Sequence, residues 1–237
     1  MKDVILIHVA MKIECELLLN KLDNLVKKKI YNYDVYEGIY INNNIVILVS
    51  GVGLINTSSS LSLVIDKYNP RCVINIGLIG GYDSKLNIGD IVIAGKVMNI
   101  NSYKTIYRNK GEGNDSLDWE YLTFRDGEDS LVMESANQEL LELTDKVDIN
   151  KYVGIIGSGD CWNNEIDKLL YMNKKYGILG EDMESIAIYS VCNNLNIPVI
   201  SIKSVSNNLF NNLEYDRNSS NYVQEYLISY LDVLINK

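Results

Sequence analysis

The sequence of 237 residues contains one histidine, His8, and four cysteines that form no CxxC pair. Structural zinc sites are built from clustered cysteine and histidine ligands, so no metal centre is expected. A Ser-His-Asp or Cys-His catalytic triad would have to use His8, and no other feature of the sequence supports one. These shortages exclude several common classes of enzyme site.

The sequence also has no stretch near the roughly 20 apolar residues that a membrane span requires. Met1 to Asp3 lead directly into a strand-like segment, with no apolar region or cleavage site of a secretory signal. The net charge of −9 argues against nucleic acid or an anionic membrane surface as a partner. We expect a cytoplasmic protein whose cysteines are reduced.

What the sequence does have is a regular alternation of strand-like and helix-like segments. The apolar run Val4–Ala10 is typical of a central strand buried on both faces, and a helix is expected from Glu14 to about Lys27. Further strands are expected at 33–41, 45–50, 72–77, 91–94, 151–156 and 197–202, and further helices at about 54–67, 134–143, 164–175, 185–192 and 219–237. With no linker or repeat, residues 1–237 are predicted to form a single α/β domain of three α/β/α layers around a mixed, largely parallel sheet.

Two glycine-rich segments and one long polar segment leave their functions open. Gly51-Val52-Gly53 lacks the third glycine of a dinucleotide fingerprint and the lysine of a phosphate-binding loop, so close backbone packing explains it. Leu78 to Gly81 is expected to be a turn after a strand. Residues 101–129 are polar and weakly periodic, and both an active-site loop and a surface excursion remain possible readings.

Several polar residues lie where strands pass into loops and helices. Glu14 and Glu184 each stand near the start of a predicted helix, where an acid either stabilises the helix or faces a ligand. Trp162 lies in a polar glycine loop, and it either packs into the core or forms a platform for a flat ligand. The segment Lys203–Asn208 follows a buried strand, at the end where open α/β sheets bind ligands.

Short motifs also occur in a specific order over nearly the whole chain. They are Ala10-Met11-x-x-Glu14, Ser50-Gly51-Val52-Gly53, Asn75-Ile76-Gly77-x-x-Gly80-Gly81, Gly89-Asp90-Ile91-Val92, Ser158-Gly159-Asp160, Asp182-Met183-Glu184 and Ser206-Asn207. Their order and spacing resemble the purine nucleoside phosphorylase and nucleosidase superfamily. The more similar branch is that of the methylthioadenosine/S-adenosylhomocysteine nucleosidases and their plant storage-protein relatives.

The resemblance implies a role for each matched position. Glu14 matches the acid that positions and deprotonates the attacking water, and Glu184 matches the acid that bonds the ribose hydroxyls. Trp162 matches the aromatic residue that stacks on the purine, with the backbone of Asn163 reaching the base edge. The remaining substrate-binding positions are Asp182, Met183, Gly80 and Leu78. Carboxylates near the sugar suit N-glycosidic cleavage, because its transition state resembles an oxocarbenium cation.

Three positions depart from the pattern. Asn207 stands where adenine-specific nucleosidases carry an aspartate that protonates the leaving base; its amide can hydrogen-bond N7 but cannot donate a full proton. Members acting on 6-oxopurines, including futalosine hydrolases, resemble this arrangement. Leu78 replaces a serine near the nucleophile, and Asn75 replaces the phosphate-binding arginine of hexameric phosphorylases. Both losses argue against phosphate as co-substrate, because phosphate needs cationic and hydroxyl donors.

The resemblance therefore implies a purine nucleosidase without metal or organic cofactor, acting on a methylthioadenosine-like or S-adenosylhomocysteine-like substrate or on a 6-oxopurine nucleoside. One alternative is a phosphorylase whose phosphate site is supplied by Arg108 or Arg125. The other is a nucleoside-binding or storage protein with weakened catalysis. The only partners implied are a small-molecule purine nucleoside and a second copy of the chain in a homodimer, with a hexamer also possible.

Overall fold

The computed structural model describes residues 4–122 and 133–236. The strands are β1 Val4–Val9, β2 Asp23–Ile30, β3 Tyr33–Tyr40, β4 Asn43–Val49, β5 Cys72–Gly81, β6 Ile91–Asn99, β7 Tyr103–Lys104, β8 Glu120–Tyr121, β9 Met133–Ser135, β10 Lys151–Ser158, β11 Ile178–Asp182 and β12 Val199–Asn208. The helices are α1 Glu16–Leu19, α2 Leu54–Tyr68, α3 Gln138–Leu143, α4 Ile166–Tyr176, α5 Ser185–Asn194 and α6 Ser220–Ile235. Lys12–Glu14 form a short 3-10 turn before α1.

The described strands form a ten-stranded mixed sheet and a separate small hairpin of β7 and β8. The sheet order is β11-β10-β6-β12-β5-β1-β4-β3-β2, and β9 pairs with β6. The neighbours β4, β1, β5 and β12 are parallel, as predicted for the centre of the sheet. Strand β11 pairs with both β10 and β5, so β11, β10, β6, β12 and β5 close into a ring.

Helices cover both faces of the sheet and give the predicted three layers. One face packs alternate residues of β1, such as Ile5 and Ile7, against α6 residues such as Tyr226 and Tyr230. The other face packs β1 residues such as Leu6 against α2 and α5. Because successive residues of a strand point to opposite faces, the unbroken apolar run of β1 is what a strand buried on both sides requires. No helix of the described ranges is long and apolar enough to cross a membrane.

The helix expected from Glu14 to Lys27 is wrong beyond its first turns. Helix α1 ends at Leu19, and Asp23–Ile30 form the edge strand β2, which pairs antiparallel with β3. Lys27 and Lys29 bind Asp34 on β3, at 2.8 and 3.2 Å, and so charged side chains cover the edge. The lysine and leucine residues of this segment favour a helix locally, but pairing with β3 makes it a strand.

Three other elements have boundaries that differ from the predicted ones. Leu78–Gly81 is the end of β5 rather than a turn, because Gly80 and Gly81 pair with Glu181 and Gly180 of β11. The polar segment Lys203–Asn208 belongs to β12 rather than to the loop after it, since β12 runs beside β5 along its whole length. The helix expected at 134–143 is instead strand β9 followed by α3, whose start is capped by the Asn137 side chain.

Candidate active site

A cavity of about 400 Å³ lies at the carboxyl ends of β1, β5, β11 and β12. Every predicted site residue lines it: Glu14, Leu78, Gly80, Trp162, Asn163, Asp182, Met183, Glu184 and Asn207. Its volume is in the range of sites that enclose a small organic ligand. Residues far apart in the sequence thus meet at one place, as the topology of parallel strands predicts.

At one end of the cavity, the Glu14 carboxylate packs with the Lys203 ammonium over a glycine of β5. Glu14 is buried, and its Oε2 accepts a hydrogen bond of 2.8 Å from the Met11 N–H. A Cβ built on Gly77 would lie 3.0 Å from Glu14 Oε1 and 3.1 Å from Lys203 Nζ, so both charged groups lie directly above this backbone. Burial raises the pKa of Glu14, and the Lys203 ammonium opposes that rise. A carboxylate with a raised pKa is suited to accept a proton near neutral pH.

Lys203 also makes a buried ion pair with Asp182. Its Nζ lies 2.9 Å from Asp182 Oδ2, and each side chain is only 1% exposed. Burial alone would raise the pKa of Asp182, but Lys203 and the Ser185 hydroxyl, 2.5 Å away, hold the pKa below its ordinary value. Asp182 is therefore an anion that anchors Lys203 and the start of α5.

Glu184 stands at the N-cap of α5 and faces the same end of the cavity. Its Oε1 accepts a hydrogen bond of 3.0 Å from the Gly53 N–H, at the bend before α2. Burial and the neighbouring Asp182 carboxylate raise the pKa of Glu184 to about 7. Gly53 has φ of 100°, a conformation that glycine adopts at little cost, so the Gly51–Gly53 bend serves to bring a backbone donor to Glu184.

Asn75 does not line the cavity, so it does not stand at a ligand position. It is 1% exposed, and its side chain bonds His8 Nδ1 at 3.1 Å, Ser185 Oγ at 3.0 Å and Ser201 Oγ at 2.7 Å. Burial lowers the pKa of His8 to about 3, so this histidine is neutral at ordinary pH. His8 and Asn75 belong to a polar network beneath the cavity that supports Ser185 and Asp182.

At the opposite end, Asn207 lies against the backbone of Gly80. A Cβ on Gly80 would lie 3.3 Å from Asn207 Nδ2, and the two residues are partners in the β5–β12 register. The Ser206 hydroxyl lies 2.9 Å from Asn207 Oδ1 and 3.1 Å from the carbonyl of Ile79. With Oδ1 facing a hydroxyl, the amide nitrogen of Asn207 is the group left to donate to a ligand.

Trp162 lines the same cavity and is 56% exposed, so it does not pack into the core. Its ring contacts Tyr215 edge-on, with the ring centroids 5.7 Å apart. The backbone of the neighbouring Asn163 is predicted to reach the base edge. In the structure its N–H donates to Glu181 Oε1 at 2.7 Å. The buried Glu181 carboxylate and Asn163 both line the cavity.

Two functional candidates escaped the sequence analysis, Lys203 and Glu181. Lys203 appeared only as one polar residue after a strand, and nothing local indicated that a lysine in an apolar strand would be paired. Its position in the strand, followed by Ser206-Asn207 three residues later, could have suggested a site residue. Glu181 precedes the recognised Asp182-Met183-Glu184 motif, and only the β5–β11 pairing places it in the cavity.

The described part of the polar segment, residues 101–122, does not line the cavity. It contains the β7–β8 hairpin and the stacked pair Tyr103–Trp119, with ring centroids 4.0 Å apart. Trp119 lies under the ammonium of Lys168, which donates to Asn163 Oδ1 at 2.7 Å. This segment therefore supports the Asn163 loop from behind.

Of the two arginines proposed for a phosphate site, Arg108 does not line the cavity. Arg108 pairs with Asp118 at 2.6 Å within the same surface segment, and Arg125 lies outside the described residues. Among the described residues that line the cavity, none is a lysine or an arginine. The four cysteines are unpaired, and only Cys161 lines the cavity.

Comparison with known proteins shows to which family the chain is similar. A family model described as the phosphorylase superfamily matches residues 4–227. The 5'-methylthioadenosine/S-adenosylhomocysteine nucleosidase of Buchnera aphidicola is 28% identical over 228 residues, which cover 95% of this chain and 94% of the relative.

Solved structures match the fold over almost the full chain. The 5'-methylthioadenosine/S-adenosylhomocysteine nucleosidase of Neisseria meningitidis, in complex with methylthio-immucillin-A, superimposes with a TM-score of 0.80 at 21% identity, covering 98% of this chain and 99% of that one. The futalosine hydrolase of Helicobacter pylori gives a TM-score of 0.81 at 20% identity, covering 97% of each chain. With the family model spanning nearly all of the sequence, the chain belongs to the phosphorylase superfamily.

Proposed function

We propose that this protein is a purine nucleosidase, which hydrolyses the N-glycosidic bond of a purine nucleoside. The observation that carries the proposal is one cavity whose lining combines two kinds of group. The carboxylates Glu14 and Glu184 line it, and so do the aromatic ring of Trp162 and the amide of Asn207. A nucleoside likewise joins a polar sugar to a flat base.

The two carboxylates supply the groups that hydrolysis requires. Glu14 holds a water molecule through Oε1 and accepts its proton as the water attacks the anomeric carbon. The bond from that carbon to the base nitrogen breaks, and the base leaves with the electron pair. Glu184 accepts hydrogen bonds from the ribose hydroxyls, and its charge stabilises the cationic sugar of the transition state.

The aromatic ring and the amide stabilise the leaving base. Trp162 offers an aromatic face for stacking, and Asn207 Nδ2 donates a hydrogen bond to N7 as negative charge develops there. An amide cannot transfer a proton, so the base takes its proton from water after cleavage. The products are the free base and the sugar with a hydroxyl on its anomeric carbon.

Water is preferred over phosphate as the nucleophile because of what surrounds Glu14. Leu78 adds an apolar side chain to the same lining, and Lys203, which lies with Glu14 over Gly77, is already paired with Asp182 at 2.9 Å. A phosphate would bring at least one negative charge next to the Glu14 and Glu184 carboxylates without a free cation among the described lining residues. The Bacillus pumilus relative, 28% identical over 83% of this chain, is itself named a nucleosidase.

The proposal includes a homodimer that works in the cytoplasm without metal or organic cofactor. Ile55, on the first turn of α2, is 78% exposed, and Val52, which also lines the cavity, is 43% exposed. Apolar side chains exposed next to a cavity are typical of a surface that a second subunit covers. Sedimentation equilibrium should give twice the chain mass, and activity should survive EDTA.

The experiment that tests the function is measurement of base release. Purified protein is incubated with methylthioadenosine, S-adenosylhomocysteine, adenosine and inosine, each with and without phosphate, and the free base is followed by chromatography. Release that does not depend on phosphate is the expected result. Release only with phosphate would make the protein a phosphorylase, and binding without release would make it a nucleoside-binding protein.

A further inference from the structure

The Ser158-Gly159-Asp160 motif at the end of β10 binds the starts of two helices. Ser158 Oγ accepts a hydrogen bond of 3.0 Å from the N–H of Ile186, in the first turn of α5. Asp160 Oδ1 accepts a hydrogen bond of 2.7 Å from the N–H of Leu54, the first residue of α2. The first N–H groups of a helix have no partner within the helix, so a side chain from elsewhere in the chain can hold them.

The same two helix starts are joined by the bond that holds Glu184. Gly53 and Glu184 are the residues immediately before α2 and α5, and the Gly53 N–H donates to Glu184 Oε1 at 3.0 Å. The next N–H along the chain, that of Leu54, is the one held by Asp160. With the Ser158 bond to α5, these contacts connect the end of β10, α2 and α5 in a closed loop.

Asp160 also packs directly against Gly53. Gly53 is buried, and a Cβ built on it would lie 2.8 Å from Asp160 Oδ1. Gly51 and Gly53 have φ of 84° and 100°, and two glycines give the bend before α2 many accessible conformations. Because the N-cap residue of α2 is itself a glycine, it has no side chain to hold the helix start. Asp160 takes the place of that cap and favours the conformation whose N–H points at Glu184.

We propose that Asp160 is a positioning residue for Glu184, because by binding the start of α2 it keeps the Gly53 N–H directed at the Glu184 carboxylate. Asp160 is exposed and is not among the described residues that line the cavity. It therefore acts on a substrate only through Gly53 and Glu184. The inference rests on the proposed role of Glu184 in binding the ribose, and it adds the residue that holds Glu184 in its working position.

The Gly53 hydrogen bond should influence the ionisation of Glu184. Burial and the carboxylates of Asp182 on β11 and Glu14 before α1 raise the pKa of Glu184 to about 7. The Lys203 ammonium on β12 and the Gly53 N–H act in the opposite direction. A hydrogen bond to a carboxylate favours its ionised form, so a misdirected Gly53 N–H should raise the pKa of Glu184 further.

The first test compares Asp160→Ala with Asp160→Asn. Both variants lose the same charge, but only asparagine keeps an oxygen that can accept the Leu54 N–H. In Asp160→Ala the pH midpoint of kcat/KM should move upward by about one pH unit, since a hydrogen bond to a charged group is worth at least that much. At pH 7 kcat/KM should therefore fall about fivefold, and most of the loss should be recovered at about pH 9. Asp160→Asn should keep the wild-type midpoint.

Asn137→Ala is the matched control for losing a helix cap. Asn137 Oδ1 accepts the Leu140 N–H at 3.0 Å at the start of α3, and Asn137 is not among the described residues that line the cavity. Its replacement should lower stability without moving the midpoint, whereas Asp160→Ala should do both.

The second test removes the donor of the same bond. Leu54→Pro has no N–H for Asp160, and proline is well tolerated at the first residue of a helix. The variant should reproduce the upward movement of the midpoint seen in Asp160→Ala. Leu54→Ala, which loses the side chain but keeps the N–H, should not.

Two results would overturn the inference while the nucleosidase function stands. One is an unchanged or lower midpoint in Asp160→Ala, and the other is an equal movement in Asp160→Asn. If no nucleoside releases base, the pKa of Glu184 is measured by NMR titration of the glutamate carboxyl carbons, with Glu184→Gln assigning the signal. A higher pKa in Asp160→Ala than in Asp160→Asn would then support the role of Asp160 although hydrolysis had failed, and equal values would refute it.

Discussion

Glu14 is held in place by its own turn and by the charge opposite it. The Met11 N–H fixes one oxygen at 2.8 Å, and Gly77 leaves room for the other oxygen beside Lys203. Such an arrangement orients a carboxylate for proton transfer without making it part of the fold's apolar core.

Replacing Glu14 with glutamine should therefore remove turnover but keep most ligand binding. The amide has nearly the same shape but cannot accept the proton of the attacking water, and general-base catalysis is worth roughly 10²- to 10⁴-fold. The measurement is kcat for the preferred nucleoside together with the dissociation constant of the free base. Glu16→Gln, two residues later and exposed, is the matched control, and turnover unchanged in Glu14→Gln would remove this residue from the mechanism.

Glu184 should give the reaction a characteristic pH dependence. Its pKa is raised to about 7 by burial and by Asp182, so the carboxylate is protonated below that pH in the free enzyme. The ionised form is the better acceptor for ribose hydroxyls, and kcat/KM should rise as the pH increases through about 7. Glu184→Gln should lower kcat/KM and abolish this limb; a limb that persists in the variant would assign it to another group.

At the scale of elements, the pattern of residues was enough to predict most of the strands and helices. The continuous apolar run of β1 and the Asn69-Pro70 stop after α2 are local signals, and both elements lie within one or two residues of their predicted ends. The failures occur where long-range pairing decides. Strand β2 forms because β3 is beside it, and β5 continues through Gly80 and Gly81 because β11 pairs with it.

The same distinction holds for the site. Every residue predicted for the site lines the cavity, because the resemblance records which strand ends meet. Glu181 and Lys203 could not be assigned in this way. Their meaning depends on partners 18 and 21 positions away, Asn163 for Glu181 and Asp182 for Lys203, which only the folded chain brings near.

The contact between β11 and β5 should be sensitive to a single methyl group. A Cβ on Gly180 would lie 2.5 Å from the carbonyl oxygen of Gly80. Because this is a backbone atom, no side-chain rotation can relieve the clash. Gly180→Ala should lower the free energy of unfolding by about 1–3 kcal/mol and also reduce activity, because Glu181 and Asp182 follow directly. Chemical denaturation measures the first effect and base release the second.

Gly95 on β6 supplies the control for that substitution. A Cβ there has ordinary contacts, the nearest at 3.6 Å from Val153, so Gly95→Ala should change both quantities little. Equal effects of the two substitutions would mean that the loss in free energy of unfolding comes from strand propensity and not from the close approach of β11 to β5.

At the scale of the whole molecule, the Lys203–Asp182 pair joins β12 to β11 within the closed ring of strands. Breaking a buried ion pair from one side leaves an uncompensated charge, and Lys203→Met should lower the free energy of unfolding by about 3–5 kcal/mol. The double variant Lys203→Met/Asp182→Leu should recover part of this loss. Lys151→Met, which breaks a pair with the exposed Asp145, should have little effect.

The pair also sets a pH limit on stability. The pKa of Asp182 is lower in the folded protein than its ordinary value of 3.8, so its contribution is present above that pH. It should be lost as the pH falls through the folded pKa, and an acid denaturation curve of the double variant should lack this component. An identical curve for both proteins would assign acid sensitivity to other carboxylates.

Strand β5 carries both halves of the chemistry three residues apart. Glu14 and Lys203 lie over Gly77, and Glu181 and Asn207 are the register partners of Gly80, about 10 Å further along at 3.3 Å per residue. In the proposed reaction, strand β5 therefore sets the distance between the residues that act on the sugar and those near the base. Substitutions beside Gly80 are expected to change which base is accepted while the bond that is broken stays the same.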